Sequence, residues 1–95
     1  EGSEMVRSVD ICAPYTATVH VKDGEKRDGS VRFCLPGAGD MDLTVFLGAL
    51  RSNKIEHIPV FAEVSGQQSS RHDYDPKDVA AFCFNALDRA RSALV

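Results

Sequence analysis

Two short β-branched stretches each set an ionisable side chain among small apolar ones. In Thr16–Lys22 (T-A-T-V-H-V-K), alternation puts Ala17, Val19 and Val21 on one face and Thr18, His20 and Lys22 on the other. In Ile58–Ser65 (I-P-V-F-A-E-V-S), it puts Val60, Ala62 and Val64 opposite Phe61, Glu63 and Ser65. Imidazole and carboxylate are groups that move protons or ligate metals. Here both stand near the C-terminal ends of their strands, where α/β proteins bind ligands. Each has a plainer reading on its own. A strand histidine is more often a satisfied or surface side chain, and a glutamate on a short strand guards an edge against aggregation. The matched positions favour a shared site without fixing its reaction.

The elements that would position these strands can be read from the pattern. Ser3–Cys12 carries Met5, Val9 and Cys12 on one helical stripe, with Ser3 as a cap and Pro14 limiting the run. Asp23-Gly24 and Asp28-Gly29 are turn signals around a charged segment, Gly24–Arg32, expected as a loop. After Val31–Leu35, Pro36-Gly37-Ala38-Gly39-Asp40 is an irregular loop leading to a helix. That helix is capped by Asp42 and striped by Leu43, Phe46, Leu47 and Leu50. Gly66–Tyr74 reads as a polar loop. Asp75 then caps a last helix with Pro76 at its first position and Asp78 in its first turn. Its stripe is Val79, Phe82, Cys83, Ala86, Leu87, Ala90 and Leu94. The order is α-β-α-β-α, and strands joined through a helix make a parallel pair with a right-handed crossover.

Composition narrows the class. Ninety-five residues suit one domain, and 43% hydrophobic with 26% charged residues is globular rather than disordered. A net charge of −3 argues against a general nucleic-acid binder. No apolar run approaches the ~18–20 residues of a membrane span, and Glu1–Asp10 has neither the basic start nor the apolar block of a secretory leader. No membrane partner is therefore expected. Cys12, Cys34 and Cys83 form neither a C-x-x-C pair nor a disulfide framework. Three reduced structural thiols point to a reducing compartment, most simply the cytoplasm.

Three segments carry a family resemblance: V-H-V-K-D-G (Val19–Gly24), L-P-G-A-G-D-M-D (Leu35–Asp42) and V-F-A-E-V-S (Val60–Ser65). In this order they resemble the end of the xylose-isomerase-like sugar isomerases and epimerases. The pattern there is a strand ending H-x-K-D, a loop like G-x-G-D-x-D, a helix with F-x-x-A-L (here Phe46 to Leu50) and a strand ending V-E-V. Tyr74-Asp75-Pro76 entering a long helix also fits, and the likeness covers nearly the whole chain.

The resemblance implies a (β/α)8 barrel, with these strands as its seventh and eighth. A complete barrel takes ~250 residues, so the chain is expected to be a C-terminal fragment. The remainder of the barrel would come from the same or another chain, and a homo-oligomer stays open. His20 and Glu63 are then metal ligands, to a divalent ion such as Mn, Mg, Co or Zn. A Glu from the fifth strand and an Asp from the sixth, neither in this chain, would complete the site. The ion stabilises the enediolate formed when a sugar loses a carbon-bound proton, and Glu63 is also the proton-transfer group. His20 should be neutral, its other nitrogen held by an acceptor. Lys22 contacts a substrate hydroxyl or phosphate, or is a solvated rim lysine. Lys26 and Arg27 stand where some epimerases bind substrate, and Asp23 supports the ligands or makes a turn. Arg71 and His72 read as loop residues.

Two alternatives belong to other classes. Abasic-site endonucleases share the barrel but add an Asp and a His after the seventh strand, and no His occurs here between His20 and His57. A small non-catalytic α/β module for assembly or binding is the other.

Overall fold

The computed structural model describes residues 2–94, without the side chains of residues 2 and 3. The cap expected of Ser3 therefore lies outside the described residues. Helix α1 (Gly2–Cys12) runs into a 3-10 turn (Ala13–Tyr15), with Pro14 inside it. Strand β1 (Val19–Val21) follows, then β2 (Asp23–Arg27) and β3 (Ser30–Cys34). Helix α2 (Leu43–Ser52), strand β4 (Val60–Ala62), a single helical turn α3 (Gly66–Ser69) and helix α4 (Pro76–Ser92) complete the chain. It is an α/β arrangement in which β1 and β4 pair in parallel, with Val19 opposite Val60, His20 opposite Phe61 and Val21 opposite Ala62.

Strands β1 and β4 are both shorter than the pattern suggests, because their ladder covers only those three pairs. Hydrogen bonds just beyond it extend the match: Val19 N–H donates to Pro59 O (3.1 Å) and Glu63 N–H to Val21 O (2.8 Å). The segment expected as a charged loop is instead an antiparallel hairpin, with Arg27 opposite Ser30 and Asp23 opposite Cys34. Asp28 and Gly29 both take positive φ, 52° and 77°. That is the tight two-residue turn whose twist matches its strands. The second turn signal closes the hairpin, while Gly24 lies within β2. The polar loop after β4 likewise contains α3, whose N-terminus is capped by Ser65 accepting from Gln67 N–H at 3.2 Å.

The core lies between the helices and one face of β1. Val9, Val19, Val21, Leu43, Ala49, Leu50, Ala86 and Ala90 are buried together, with Phe46, Leu47 and Leu87 half-buried around them. Helix α2 packs against both α1 and α4. Small side chains bring α4 close: a Cβ built on Gly37 would meet Ala86 Cβ at 2.6 Å. Phe82 turns outward at the edge of its expected stripe, as does Cys12 at the end of α1. Asp42 accepts from Val45 N–H (3.1 Å) and Asp75 from Lys77 N–H (2.9 Å), as their positions before the helices imply. Among the described residues, no helix is long and apolar enough to cross a membrane.

Helix α2 ends in a Schellman turn. Ile55 N–H reaches Leu50 O (3.0 Å) and Lys54 N–H reaches Arg51 O (2.9 Å), with Lys54 at φ 60°. A lysine there carries the Cβ clash that glycine avoids. Lys54→Gly is expected to raise the unfolding free energy by about 0.5–1 kcal/mol. An unchanged or lower urea midpoint would contradict that.

Candidate functional site

The open face of the parallel pair collects His20, Lys22, Phe61 and Glu63, all exposed to some degree. Alternation places His20 and Lys22 on the same side of β1, and the parallel register brings β4 alongside. His20 Nδ1 lies 3.5 Å from Glu63 Oε1, and Lys22 Nζ lies 3.5 Å from Glu63 Oε2. The carboxylate thus has a nitrogen neighbour on each oxygen. The His20 ring packs against Phe61 with centroids 5.3 Å apart and planes tilted by 49°. These contacts join the imidazole and carboxylate that the sequence pattern paired.

Asp23 has a different setting from its neighbours. Its side chain is 1% exposed and accepts four backbone N–H groups. Oδ1 takes Gly24 (2.8 Å) and Met41 (3.1 Å); Oδ2 takes Gly37 (3.0 Å) and Gly39 (3.1 Å). Asp40 N–H adds a bond to Gly24 O at 2.8 Å, and Lys26 N–H one to Asp40 Oδ2 at 3.2 Å. The Pro36–Asp42 loop is thereby laced onto β2. Asp23 anchors the loop between the hairpin and α2, and no hydrogen bond joins it to His20 among the described residues.

Lys26 and Arg27 stand on β2 near the hairpin turn. Arg27 Nη2 pairs with Glu25 Oε2 at 2.9 Å and its Nη1 donates to Lys26 O at 2.7 Å. Neither side chain makes an ion pair with Glu63 among the described residues. Arg71 closes on Asp73 at 3.1 Å, and His72 sits exposed in the same turn.

The sequence pattern gives no sign of Phe33 or its holders. Its N–H donates to Gln67 Oε1 (3.0 Å) and its carbonyl accepts from Gln68 Nε2 (3.1 Å). Two glutamine side chains on α3 thus continue the hairpin's outer edge. They fasten the segment after β4 to the one after β1. The Phe33 ring lies 4.3 Å beneath Lys22 Nζ, within cation–π range. Cys34, beside it, has its thiol pushed up by partial burial and then by the Glu25 and Asp23 carboxylates. Burial does the same to Cys83 on α4. Neither is thereby poised as a thiolate nucleophile.

Imidazole nitrogen and carboxylate oxygen suit Mn, Co and Zn, and the carboxylate suits Mg. His20 and Glu63 could fill two positions around such an ion. Among the described residues, no group of three or more His, Cys, Asp or Glu side chains could hold one. No protein-family model, curated protein or solved structure matches the chain.

Proposed function

We propose that this chain is the C-terminal part of a (β/α)8-barrel, metal-dependent sugar or sugar-phosphate isomerase or epimerase. The observation that carries the reading is the Glu63 carboxylate set between His20 and Lys22 at the C-terminal ends of neighbouring parallel strands. The bare inner face supports the barrel. Parallel strands occur almost only where both faces are covered, yet Phe61 on this face is 50% exposed. Other strands would cover it and bring the remaining ligands. When bound, a divalent ion polarises the oxygens beside the carbon that loses its proton. Glu63 takes and returns that proton, His20 holds its ring against Phe61, and Lys22 presents a cation to substrate oxygens. Among the described residues β4 pairs with β1 alone, and the edge this leaves open also favours the second reading, a small assembly module without catalysis.

The test uses the protein containing this chain, first weighed intact by mass spectrometry. It is incubated in D2O with Mn, Mg, Co or Zn and a panel of aldoses, ketoses and their phosphates. Deuterium should enter the sugar at the carbon next to the carbonyl. A protein of full-barrel mass that exchanges no sugar proton with any of these ions would sink the proposal and leave the module.

A further inference from the structure

We infer that Gln67 and Gln68 are positioning residues for Lys22: together they latch the hairpin where the lysine ammonium reaches Glu63. What the latch does for a substrate rests on the sugar-site reading above, but the latch itself needs no bound ligand. Its contacts form a closed circuit. Lys22 Nζ lies 3.5 Å from Glu63 Oε2 and 4.3 Å from the centre of the Phe33 ring. Phe33 N–H donates to Gln67 Oε1 (3.0 Å), and its carbonyl accepts from Gln68 Nε2 (3.1 Å). Ser65, buried and two residues beyond Glu63, accepts from Gln67 N–H at 3.2 Å and so fixes the start of α3. Contacts that leave Glu63 through Lys22 therefore return to it through α3.

The glutamines decide where the ring sits because its cross-strand neighbour cannot. Gly24 stands opposite Phe33 in the hairpin and offers no side chain to brace it. A Cβ there would meet Phe33 Cδ1 at 3.6 Å, so the ring lies beside the bare glycine. Lys22 depends on the ring in turn. Its side chain is 37% accessible, and an exposed ion pair alone holds a long, flexible side chain weakly. The aromatic face adds a second restraint on the same ammonium. A displaced Phe33 removes that restraint and leaves Lys22 to water. Chemistry also fixes which end of each amide is used. A backbone N–H can only donate and a carbonyl only accept, so Gln67 must present its oxygen and Gln68 its NH2. Glutamate in place of Gln67 keeps the acceptor, whereas glutamate in place of Gln68 sets a carboxylate against a carbonyl.

The test is NMR spectroscopy of this chain without ligand, with folding checked by the amide resonances of Gly37, Gly39 and Met41. In the parent, the Lys22 Hε protons should lie upfield of those of the other lysines and show nuclear Overhauser contacts with the Phe33 ring. Gln67→Ala should lose both signatures, and hydrogen exchange at the Phe33 amide should quicken about 3- to 10-fold as one net hydrogen bond goes. Gln68→Glu should lose both signatures too, while Gln67→Glu keeps them. A purely structural pair of glutamines would change amide exchange and leave Lys22 unmoved. If Lys22 keeps its upfield shift and ring contacts in Gln67→Ala and Gln68→Glu, the positioning role is overturned. If Gln67→Glu loses them as fully as Gln68→Glu does, the assigned roles of the two amides are overturned. No sugar enters this measurement, so failure of the sugar assay and failure of the latch are read apart.

Discussion

Asp23→Ala is expected to lower the unfolding free energy by about 3–4 kcal/mol, a large share of the ~5–15 kcal/mol typical of a domain. The carboxylate is buried and gathers the N–H groups of Gly24, Gly37, Gly39 and Met41. A hydrogen bond to a charged group contributes about 1.5–3 kcal/mol net. Four of them would exceed the expected loss, but the loop can relax and let water reach part of what is orphaned. Asp23→Asn should fall in between, because its amide NH2 turns a donor towards one pair of those N–H groups. Gly39→Ala tests the same knot from the other side. A Cβ there would meet Gly24 O at 2.6 Å and crowd the Asp23 carboxylate, so adding one methyl should also destabilise. Urea unfolding of the three variants, with the amide resonances of Gly37, Gly39 and Met41 as local reporters, decides it. An Asp23→Ala protein within ~1 kcal/mol of the parent would show that the loop holds without its anchor.

Glu63→Gln should have the largest effect on chemistry and little on fold. The proposed reaction needs Glu63 both as ligand and as proton carrier, and general acid–base catalysis alone is commonly worth ~100- to 10,000-fold. On that proposal, turnover by the protein containing this chain should fall at least that far. The side chain is part-exposed and nearly isosteric with glutamine, and the surface pairs it makes with His20 and Lys22 contribute little to stability. His20→Ala should mainly weaken metal binding, with part of the activity recovered by excess metal. Sugar turnover at saturating metal, measured beside thermal unfolding, separates the two variants. A Glu63→Gln enzyme turning over at near the parental rate would falsify its role as the proton carrier.

What the sequence made legible was local or periodic. Asp75-Pro76 and Asp42 announce helix starts because capping is settled within three residues of the cap. His20 and Glu63 could be assigned to one face because alternation and a parallel connection leave few other arrangements. The hairpin was hidden because Asp23–Arg27 (D-G-E-K-R) has no β-branched residue, and charge there reads as loop. Only the turn geometry at Asp28-Gly29 and the pairing across it make it a sheet. The Asp23 anchor was hidden for another reason. Three of its four partners arrive 14 to 18 residues later, so the sequence near Asp23 does not mark it as buried. The Gln67 and Gln68 contacts with Phe33 span 34 and 35 residues and are equally silent in the sequence.

The register of β1 against β4 also bears on how the molecule comes to exist in time. Joining Val19 to Val60 closes a loop of about 40 residues, and the entropy of that closure is lost before the ladder returns anything. The hairpin, by contrast, closes across two residues, and α2 and α4 carry their own caps. Those pieces can assemble early, whereas the three-pair parallel ladder must wait for the chain ends of the crossover to meet. His20 and Glu63 sit on opposite partners of that ladder, so their encounter requires that long closure. A ligand gripping both side chains would recognise only the finished ladder. By mass action it would then act as a clasp on the native state.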